Sequence, residues 1–349
     1  MGLRVVFDAR TLASELPMTG IPRYLLRLLE ALNRHPGMER PTLVTDRELT
    51  PVANNLGEVK VLPTGVAWQQ RIFASWLRRH REQFDLLHNP AYATPLFHSL
   101  PTVTTVHDLC FRRYPDLVKP AVRRYLARSL LVTTKRSDLI LLPTEDMRQE
   151  MIFFYPRSEL RLRVTRLAGA MADSLPERPE GIEEPYFLWV GTREPRKNLG
   201  TAVAAMRAFP HVKLVVVGEP EHGLVDDQRL GEHPRVVCTG YISDAKLRWL
   251  YQHAMALIFS SLYEGFGMPV VEAMQEGCPV VCGEVPGVRE VGKDACIFVD
   301  ITSVESLMGG MKAAADDLWN KRARLAGQTY SWASTADATV TAYQAILGA

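Results

Sequence analysis

No uncharged apolar run in this chain reaches the ~18 residues that a membrane-spanning helix needs. The first apolar stretch, Leu3–Phe7, is interrupted by Arg4 and stops at Asp8, far short of a signal-peptide core. Cysteine is scarce. Cys110, Cys238, Cys278, Cys282 and Cys296 make an odd number with no C-x2-C pair, which argues against a disulfide framework and against a zinc knuckle. Four of them lie in apolar or strand-like surroundings, where a reduced cysteine packs as a small core residue, so a reducing cytoplasm is the expected compartment. D-x-D, H-E-x-x-H and G-x-S-x-G are all missing, which leaves metal hydrolysis and serine-hydrolase chemistry without support. No G-x-G-x-x-G follows the first strand or Tyr186–Val190, which weighs against a dinucleotide dehydrogenase. Gly287–Lys293 has the spacing of a phosphate-binding loop, but Asp294 stands where a Ser or Thr would hold Mg²⁺, and its carboxylate would repel phosphate. Net charge is only +2 and by itself points to no partner.

What is present is a chain of 349 residues, 47% apolar and 23% charged, the composition of a folded protein with two domains. Divided near residue 178, its first part carries 26 Lys and Arg against 18 Asp and Glu, and the remainder 15 against 21. Such asymmetry suggests that one domain meets something anionic. Short apolar runs alternate with amphipathic stretches. Leu3–Val6, Thr42–Val44, Val59–Leu62, Leu86–His88, Thr102–Val106 and Leu139–Leu142 read as strands, with helices at Pro22–Leu32, Trp68–His80 and Ala121–Thr134. The Pro- and Glu-rich segment 175–185 reads as a linker. Alternation then restarts with strands at Tyr186–Val190, Lys213–Val217, Val236–Cys238, Ala256–Phe259, Val280–Cys282 and Ile297–Val299. Helices are expected near Asn198–Ala208, Ser243–Gln252, Pro269–Glu276, Val304–Ala315 and Thr335–Ile346. The pattern predicts an α/β protein of two Rossmann-like, doubly wound domains, 1–174 and 186–333, facing an interdomain cleft that is the default ligand site. The terminal helix, 334–349, is expected to pack back toward the N-terminal domain.

The most informative segment is Glu264–Val281, EGFGMPVVEAMQEGCPVV. A loop with Glu264, Gly265 and Gly267 leads into a helix with Pro269 in its first turn, where its missing N–H costs nothing. Glycines let backbone approach a ligand, and a helix start offers amide donors and a positive dipole end. Glu272 reads as a first-turn carboxylate. Phosphate donors between two carboxylates able to take hydroxyl hydrogen bonds fit a nucleotide-sugar. The residues alone equally allow a dipole-favoured Glu272 and a solvated Glu264.

This segment resembles the E-x7-E signature of family 4 retaining glycosyltransferases, which have the two-domain GT-B fold. TGIPRY (Thr19–Tyr24) resembles that family's N-terminal glycine loop and TVHD (Thr105–Asp108) its sugar-contacting His motif. GTREPRKN (Gly191–Asn198) resembles the diphosphate loop, GYISD (Gly240–Asp244) the segment beside the nucleobase, and YSW (Tyr330–Trp332) the start of the terminal helix. The strings occur in the expected order over essentially the whole chain.

The resemblance implies roles. Glu264 would contact donor-sugar hydroxyls and Glu272 the ribose. The N–H groups of Phe266, Gly267 and Met268 would hold sugar hydroxyl and phosphate oxygens. Pro269 cannot donate, so Val270 would take its place. Lys197 would neutralise the leaving β-phosphate, with Arg193 as its partner, since Thr192 stands where the family often has Arg. Arg196 could instead be a solvated helix-entry charge. Ile242 would touch the base through its backbone. His107 would contact the donor sugar, with Asp108 orienting the loop or meeting the acceptor. Gly20 would let the diphosphate pass close, although Pro22 removes an amide that the family loop usually has. The implied reaction is transfer of a hexose with retention, with no divalent metal or other cofactor. GDP-mannose is the leading donor, UDP-hexoses are alternatives, and the acceptor is a glycan or lipid-linked glycan, as in bacterial O-antigen mannosyltransferases. A nucleotide-sugar epimerase and a non-catalytic binding subunit of the same fold remain alternatives.

Basic residues cluster in the first half at Arg78, Arg79, His80 and Arg81, at Arg112 and Arg113, and at Arg123, Arg124 and Arg128. Phe73, Trp76, Phe111, Tyr114 and Tyr125 are interleaved with them. The pattern suits peripheral contact with anionic lipid at the inner face of the membrane, and equally an ordinary solvated surface. No nucleic-acid-binding motif accompanies it.

Overall fold

Among the described residues, short runs of branched apolar residues form thirteen strands because their side chains pack on both faces of a covered parallel sheet. The computed structural model describes residues 2–15, 18–220 and 233–348. These fall into two units, one comprising Met1–Leu167 with Ser331–Ala349, the other Ala168–Tyr330.

The first unit holds β1 (Val5–Asp8), β2 (Thr42–Thr45), β3 (Glu58–Val61), β4 (Leu86–Asn89), β5 (Thr102–Thr105), β6 (Leu139–Leu142) and β7 (Leu162–Val164). Their order is β3-β2-β1-β4-β5-β6-β7, with every pair parallel. The second holds β8 (Tyr186–Val190), β9 (Lys213–Val217), β10 (Val236–Gly240), β11 (Leu257–Phe259), β12 (Val280–Gly283) and β13 (Ile297–Val299), ordered β10-β9-β8-β11-β12-β13 and also parallel. Each unit is thus doubly wound. Its strand order reverses between β1 and β4 in the first and between β8 and β11 in the second, and open sheets of this kind bind ligands at the carboxyl ends flanking the reversal.

Differences from the sequence reading are local. The first helix runs Gly20–Leu32, so Pro22 sits in its first turn, where a missing N–H is tolerated. The expected Trp68–His80 helix begins as a π-helical turn, Gln69–Phe73, and continues as an α-helix over Ala74–Arg79. Trp68, Phe73, Trp76 and His80 form a stacked column there, with Arg10 lying 4.4 Å from the Trp68 ring centre. Phe73, Trp76 and Phe111 are therefore core residues, and only Tyr114 and Tyr125 of the interleaved aromatics are exposed. Besides the short helices Pro51–Asn54, Cys110–Arg113 and Val288–Gly292, two ten-residue helices have no counterpart in the sequence pattern. Glu145–Phe154 is capped by Thr144, which accepts from Met147 N–H at 3.2 Å, and buries only Met147 and Met151; Leu318–Gly327 buries only Ala323 and Gly327. Too few apolar positions face inward to give either a clear helical period.

Residues 175–185 are part of the second unit, where Glu177 N–H donates to Ala245 O and Ile182 is buried. The Trp332–Leu347 helix belongs to the first unit and buries Thr335, Ala336, Thr339, Val340, Ala342 and Tyr343 there. Thr335 Oγ1 donates to Arg166 O at 2.7 Å. Among the described residues, no helix is long and apolar enough to cross a membrane.

Gly218, directly after β9, has φ +123°, and a Cβ there would lie 2.1 Å from Gly191 O. Both objections concern backbone, which cannot step aside as a flexible side chain can. Gly218→Ala should lower unfolding free energy by about 2 kcal/mol or more, read as a shifted urea midpoint at unchanged slope.

Candidate functional site

The second unit builds its site from the loops after β8 and β11, on either side of the strand-order reversal. After β8 the chain makes a tight turn, Pro195–Lys197, and a left-handed residue, Asn198, starts the Leu199–Ala205 helix. Asn is among the few non-glycine residues that take this conformation readily. Its side chain secures the junction: Nδ2 donates to Ile301 O at 2.9 Å, and Oδ1 accepts from Thr201 Oγ1 at 2.8 Å. After β11, Ser260 Oγ donates to Lys197 O at 2.8 Å and accepts from Trp189 Nε1 at 3.2 Å, while Leu262 N–H donates to Arg196 O at 2.8 Å. The two loops are thereby stitched together before any ligand arrives.

Glu264 lies at their junction, 8% exposed. Lys197 Nζ donates to its Oε1 at 2.5 Å, and Arg196 Nη1 stands 3.2 Å from its Oε2. Burial alone would raise this carboxyl's pKa. Lys197 and Arg196, with hydrogen bonds from Lys197 and Ser261, outweigh it and pull the value down to about 2. Arg196 also donates to Tyr263 O at 2.8 Å and to Glu194 Oε1 at 2.5 Å. It is thus an embedded clamp on Glu264 rather than a solvated helix-entry charge. Arg193, whose side chain is mostly buried, pairs at 4.0 Å with Glu219, a residue the sequence reading passed over. Lys197 additionally lies 5.7 Å from the Phe259 ring centre.

Gly267, at φ +95°, turns the chain into the helix Met268–Glu276 with Pro269 in its opening turn. The N–H groups of Phe266, Gly267 and Met268 have no acceptor among the described residues. That of Val270 donates to Gly267 O at 2.9 Å, so the helix's own first turn takes up the donor expected for a ligand. Glu272 falls in the second turn, not the first, because the helix starts at Met268. Its charge is met locally instead: Oε1 accepts from Ala170 N–H at 3.0 Å and Oε2 from the Tyr251 hydroxyl at 3.1 Å. Ile242 is half-buried between β10 and the Asp244–His253 helix, next to Tyr241, whose N–H donates to Glu219 Oε1 at 3.3 Å.

His107 and Gly20 belong to the first unit. Gly20 opens the first helix, where Arg23 N–H donates to Thr19 O at 3.0 Å. His107 follows β5, and its Nε2 lies 2.7 Å from Pro90 O. A carbonyl only accepts, so Nε2 carries the proton. Burial lowers the pKa of the ring, partly opposed by Pro90 O and by Asp108, which favours the neutral form with a lone pair on Nδ1. Asp108 Oδ1 accepts from Cys110 N–H at 3.0 Å, which fixes the turn after the strand. The basic residues divide by environment. Arg112 Nε donates to the Tyr155 hydroxyl at 2.8 Å, and Arg123 reaches Pro115 O at 3.4 Å. Arg78, Arg79, Arg81, Arg113, Arg124 and Arg128 are exposed. Cys110, Cys278, Cys282 and Cys296 are buried thiols and Cys238 is exposed. Among the described residues, no group of three or more His, Cys, Asp or Glu is placed to hold a metal ion.

Two doubly wound parallel units, one carrying a buried Lys–Glu pair beside an unclaimed helix start, define the GT-B class of glycosyltransferase. Residues 18–168 match the family described as "Glycosyltransferase Family 4" and residues 173–332 that described as "Glycosyl transferases group 1", so the chain belongs to these glycosyltransferases and is a transferase. It is similar to O-antigen chain mannosyltransferase B of Escherichia coli, 28% identical over 98% of this chain and 100% of that protein. In fold it resembles sucrose-phosphate synthase of Thermosynechococcus elongatus (TM-score 0.77, 18% identity, 99% of each chain). It also resembles Anabaena HepE in complex with UDP and glucose (TM-score 0.74, 16% identity, 96% of this chain and 97% of that one).

The Glu264 carboxyl lies near 2 against an ordinary 4.5. The folded pKa is depressed, so its contribution is fully present above about pH 4.5 and is lost as pH falls toward 2. The difference corresponds to on the order of 3 kcal/mol. Urea unfolding of wild type and Glu264→Gln across pH 6 to 2.5 should therefore show a stability gap that narrows on acidification.

Proposed function

We propose that this glycosyltransferase moves mannose from GDP-mannose to a glycan or lipid-linked glycan acceptor, with retention at the anomeric carbon and without a divalent metal. The observation that carries this reading is the Lys197–Glu264 pair at the β8/β11 reversal beside the N–H groups of Phe266, Gly267 and Met268. Around it three cations, Arg193, Arg196 and Lys197, face three carboxylates, Glu194, Glu219 and Glu264, so ion pairing leaves little excess charge. A diphosphate would gain instead from the free N–H groups and the helix dipole, and would draw Lys197 from Glu264 as charge builds on the leaving phosphate. Glu264, still held by Arg196, would then accept from sugar hydroxyls, and His107 Nδ1 from another. The mannose assignment draws on the mannosyltransferase relative, and the acceptor assignment on the O-antigen chain in its name. In this reading Arg193 and Gly20 would meet the diphosphate, Ile242 the base and Glu272 the ribose.

Purified protein with GDP-mannose should release GDP slowly, at the same rate with EDTA present, and should release UDP from UDP-hexoses more slowly still; NMR of the transferred sugar reads retention. Lys197→Ala should cut turnover by about 100-fold or more. Lack of binding by every nucleotide-sugar, with Glu264→Ala silent, would overturn the reading. Epimerised nucleotide-sugar formed without acceptor would favour the epimerase instead.

We further propose that the first unit meets anionic lipid at the cytoplasmic face of the membrane. The Pro120–Arg136 helix exposes Arg124, Tyr125, Arg128, Leu131 and Lys135 at spacings of one to four residues along one side. Tyr125 and Leu131 are 58% and 47% exposed, so apolar surface lies among these cations. Replacing Arg124, Arg128 and Lys135 by Ser should weaken cosedimentation with phosphatidylglycerol vesicles by about 1 kcal/mol per charge, with no change on phosphatidylcholine.

A further inference from the structure

A chain of buried polar groups lies behind His107. His88, at the end of β4 and fully buried, places Nδ1 2.6 Å from the Tyr343 hydroxyl and Nε2 2.9 Å from Thr105 Oγ1. The same Thr105 oxygen lies 2.9 Å from the Tyr24 hydroxyl. Burial pushes the His88 pKa down to about 3, so the ring is neutral and must donate through one nitrogen and accept through the other. Either Tyr343 donates to Nδ1 and Nε2 donates to Thr105 Oγ1, or Thr105 donates to Nε2, which leaves Nδ1 to donate to Tyr343 and Tyr24 to donate to Thr105. In either case each contact uses a different hydrogen and leaves no donor competing for an acceptor.

The chain ends against His107. The Tyr24 ring meets the His107 ring at 74° with centres 4.6 Å apart, and Trp332 stands 6.1 Å from Tyr24. The contact between Thr105 and His88 is also a rung behind that of His107 on Pro90, each partner lying two residues earlier on the same strand end. Fixing Thr105 and His88 thus fixes the backbones that carry both His107 and the carbonyl that selects its tautomer. Tyr343 and Trp332 both come from the terminal helix, far along the chain from the residues they brace.

We infer that Tyr343, His88 and Thr105 are positioning residues that, through Tyr24 and Pro90, hold His107 with its proton on Nε2 and its Nδ1 lone pair presented to substrate. The inference rests on the proposed role of His107 as a donor-sugar contact. A neutral relay suits that task. Hydroxyl and imidazole contacts fix direction and distance without adding charge next to an acceptor lone pair, and misplacement of a contact by about an ångström can cost as much as ~100-fold in rate.

The test uses the full chain with ¹⁵N-labelled histidine and three variants: Tyr343→Phe, Thr105→Val and Thr105→Ser. Two-bond ¹H–¹⁵N correlations read the tautomers of His88 and His107 directly, and GDP release from GDP-mannose gives kcat and KM. Tyr343→Phe and Thr105→Val should shift the His107 signals and lower kcat by about tenfold, with KM changed by less than about twofold. Thr105→Ser, which keeps the hydroxyl, should restore both. Tyr343→Phe preserves the ring and its packing, so an answer does not depend on whether Thr105→Val folds. Unchanged His107 signals while those of His88 move would overturn the relay, as would failure of Thr105→Ser to rescue. A wild type that turns over no nucleotide-sugar would instead refute the proposed function, leaving the histidine spectra to decide the relay on their own.

Discussion

A carboxylate taken out of water must be neutralised or it will pick up a proton, and the second unit is organised around preventing that at Glu264. Lys197 and Arg196 both reach it, and both are carried by a turn whose backbone is tied to the strand end from which Glu264 departs. The arrangement is mutual. Without Glu264, Lys197 would lose its carboxylate and Arg196 would keep Glu194, and without the cations burial would raise the carboxyl's pKa. The pair therefore fixes two loops of different strands in one geometry.

That geometry falls where it does because of strand order. The crossovers from β8 and β11 leave the sheet in opposite directions, so their loops part at the carboxyl ends, where sheets of this kind bind ligands. The first unit repeats the reversal at β1 and β4, but the side chains at its β4 and β5 strand ends differ in kind. Its polar groups are a neutral histidine and hydroxyls, His107, His88, Thr105, Tyr24 and Tyr343, rather than ion pairs. Ionic groups can exchange partners as charge builds nearby, whereas neutral donors and acceptors fix direction without adding charge. The same topology thus presents two chemistries.

The order of elements and most strand limits could be read from alternation, because parallel strands buried on both faces are short uninterrupted apolar runs: Tyr186–Val190 and Lys213–Val217 are delimited as expected. β7 escaped, since Leu162–Val164 has one inward leucine between arginines. Residues of the site declared themselves where local chemistry is unusual, as at Gly267 and Pro269. They stayed hidden where partners come from distant sequence. Nothing near Arg196 signals that Glu264 will meet it, nothing near Glu219 signals Arg193, and nothing near Tyr343 signals His88. Glu272 lies just past the first turn rather than in it, because the helix begins at Met268, one residue before the proline that marks it in the sequence.

The charge asymmetry between the halves of the chain gains a physical meaning from where the charges lie. In the second unit, arginines such as Arg193, Arg196 and Arg248 are embedded in ion pairs with carboxylates, so acid and base there largely cancel at short range. In the first, Arg4, Arg10 and Arg47 are paired in the same way, with Asp85, Asp8 and Asp46. Part of the surplus lies on the solvent side of the Pro120–Arg136 helix, next to Tyr125 and Leu131. Fields from paired charges fall off as dipoles, whereas an unbalanced row of cations extends over a Debye length, about 8 Å in physiological salt. A surplus held on one helix face is therefore felt at a distance by an anionic surface, while the paired charges of the site act only on a ligand already in contact.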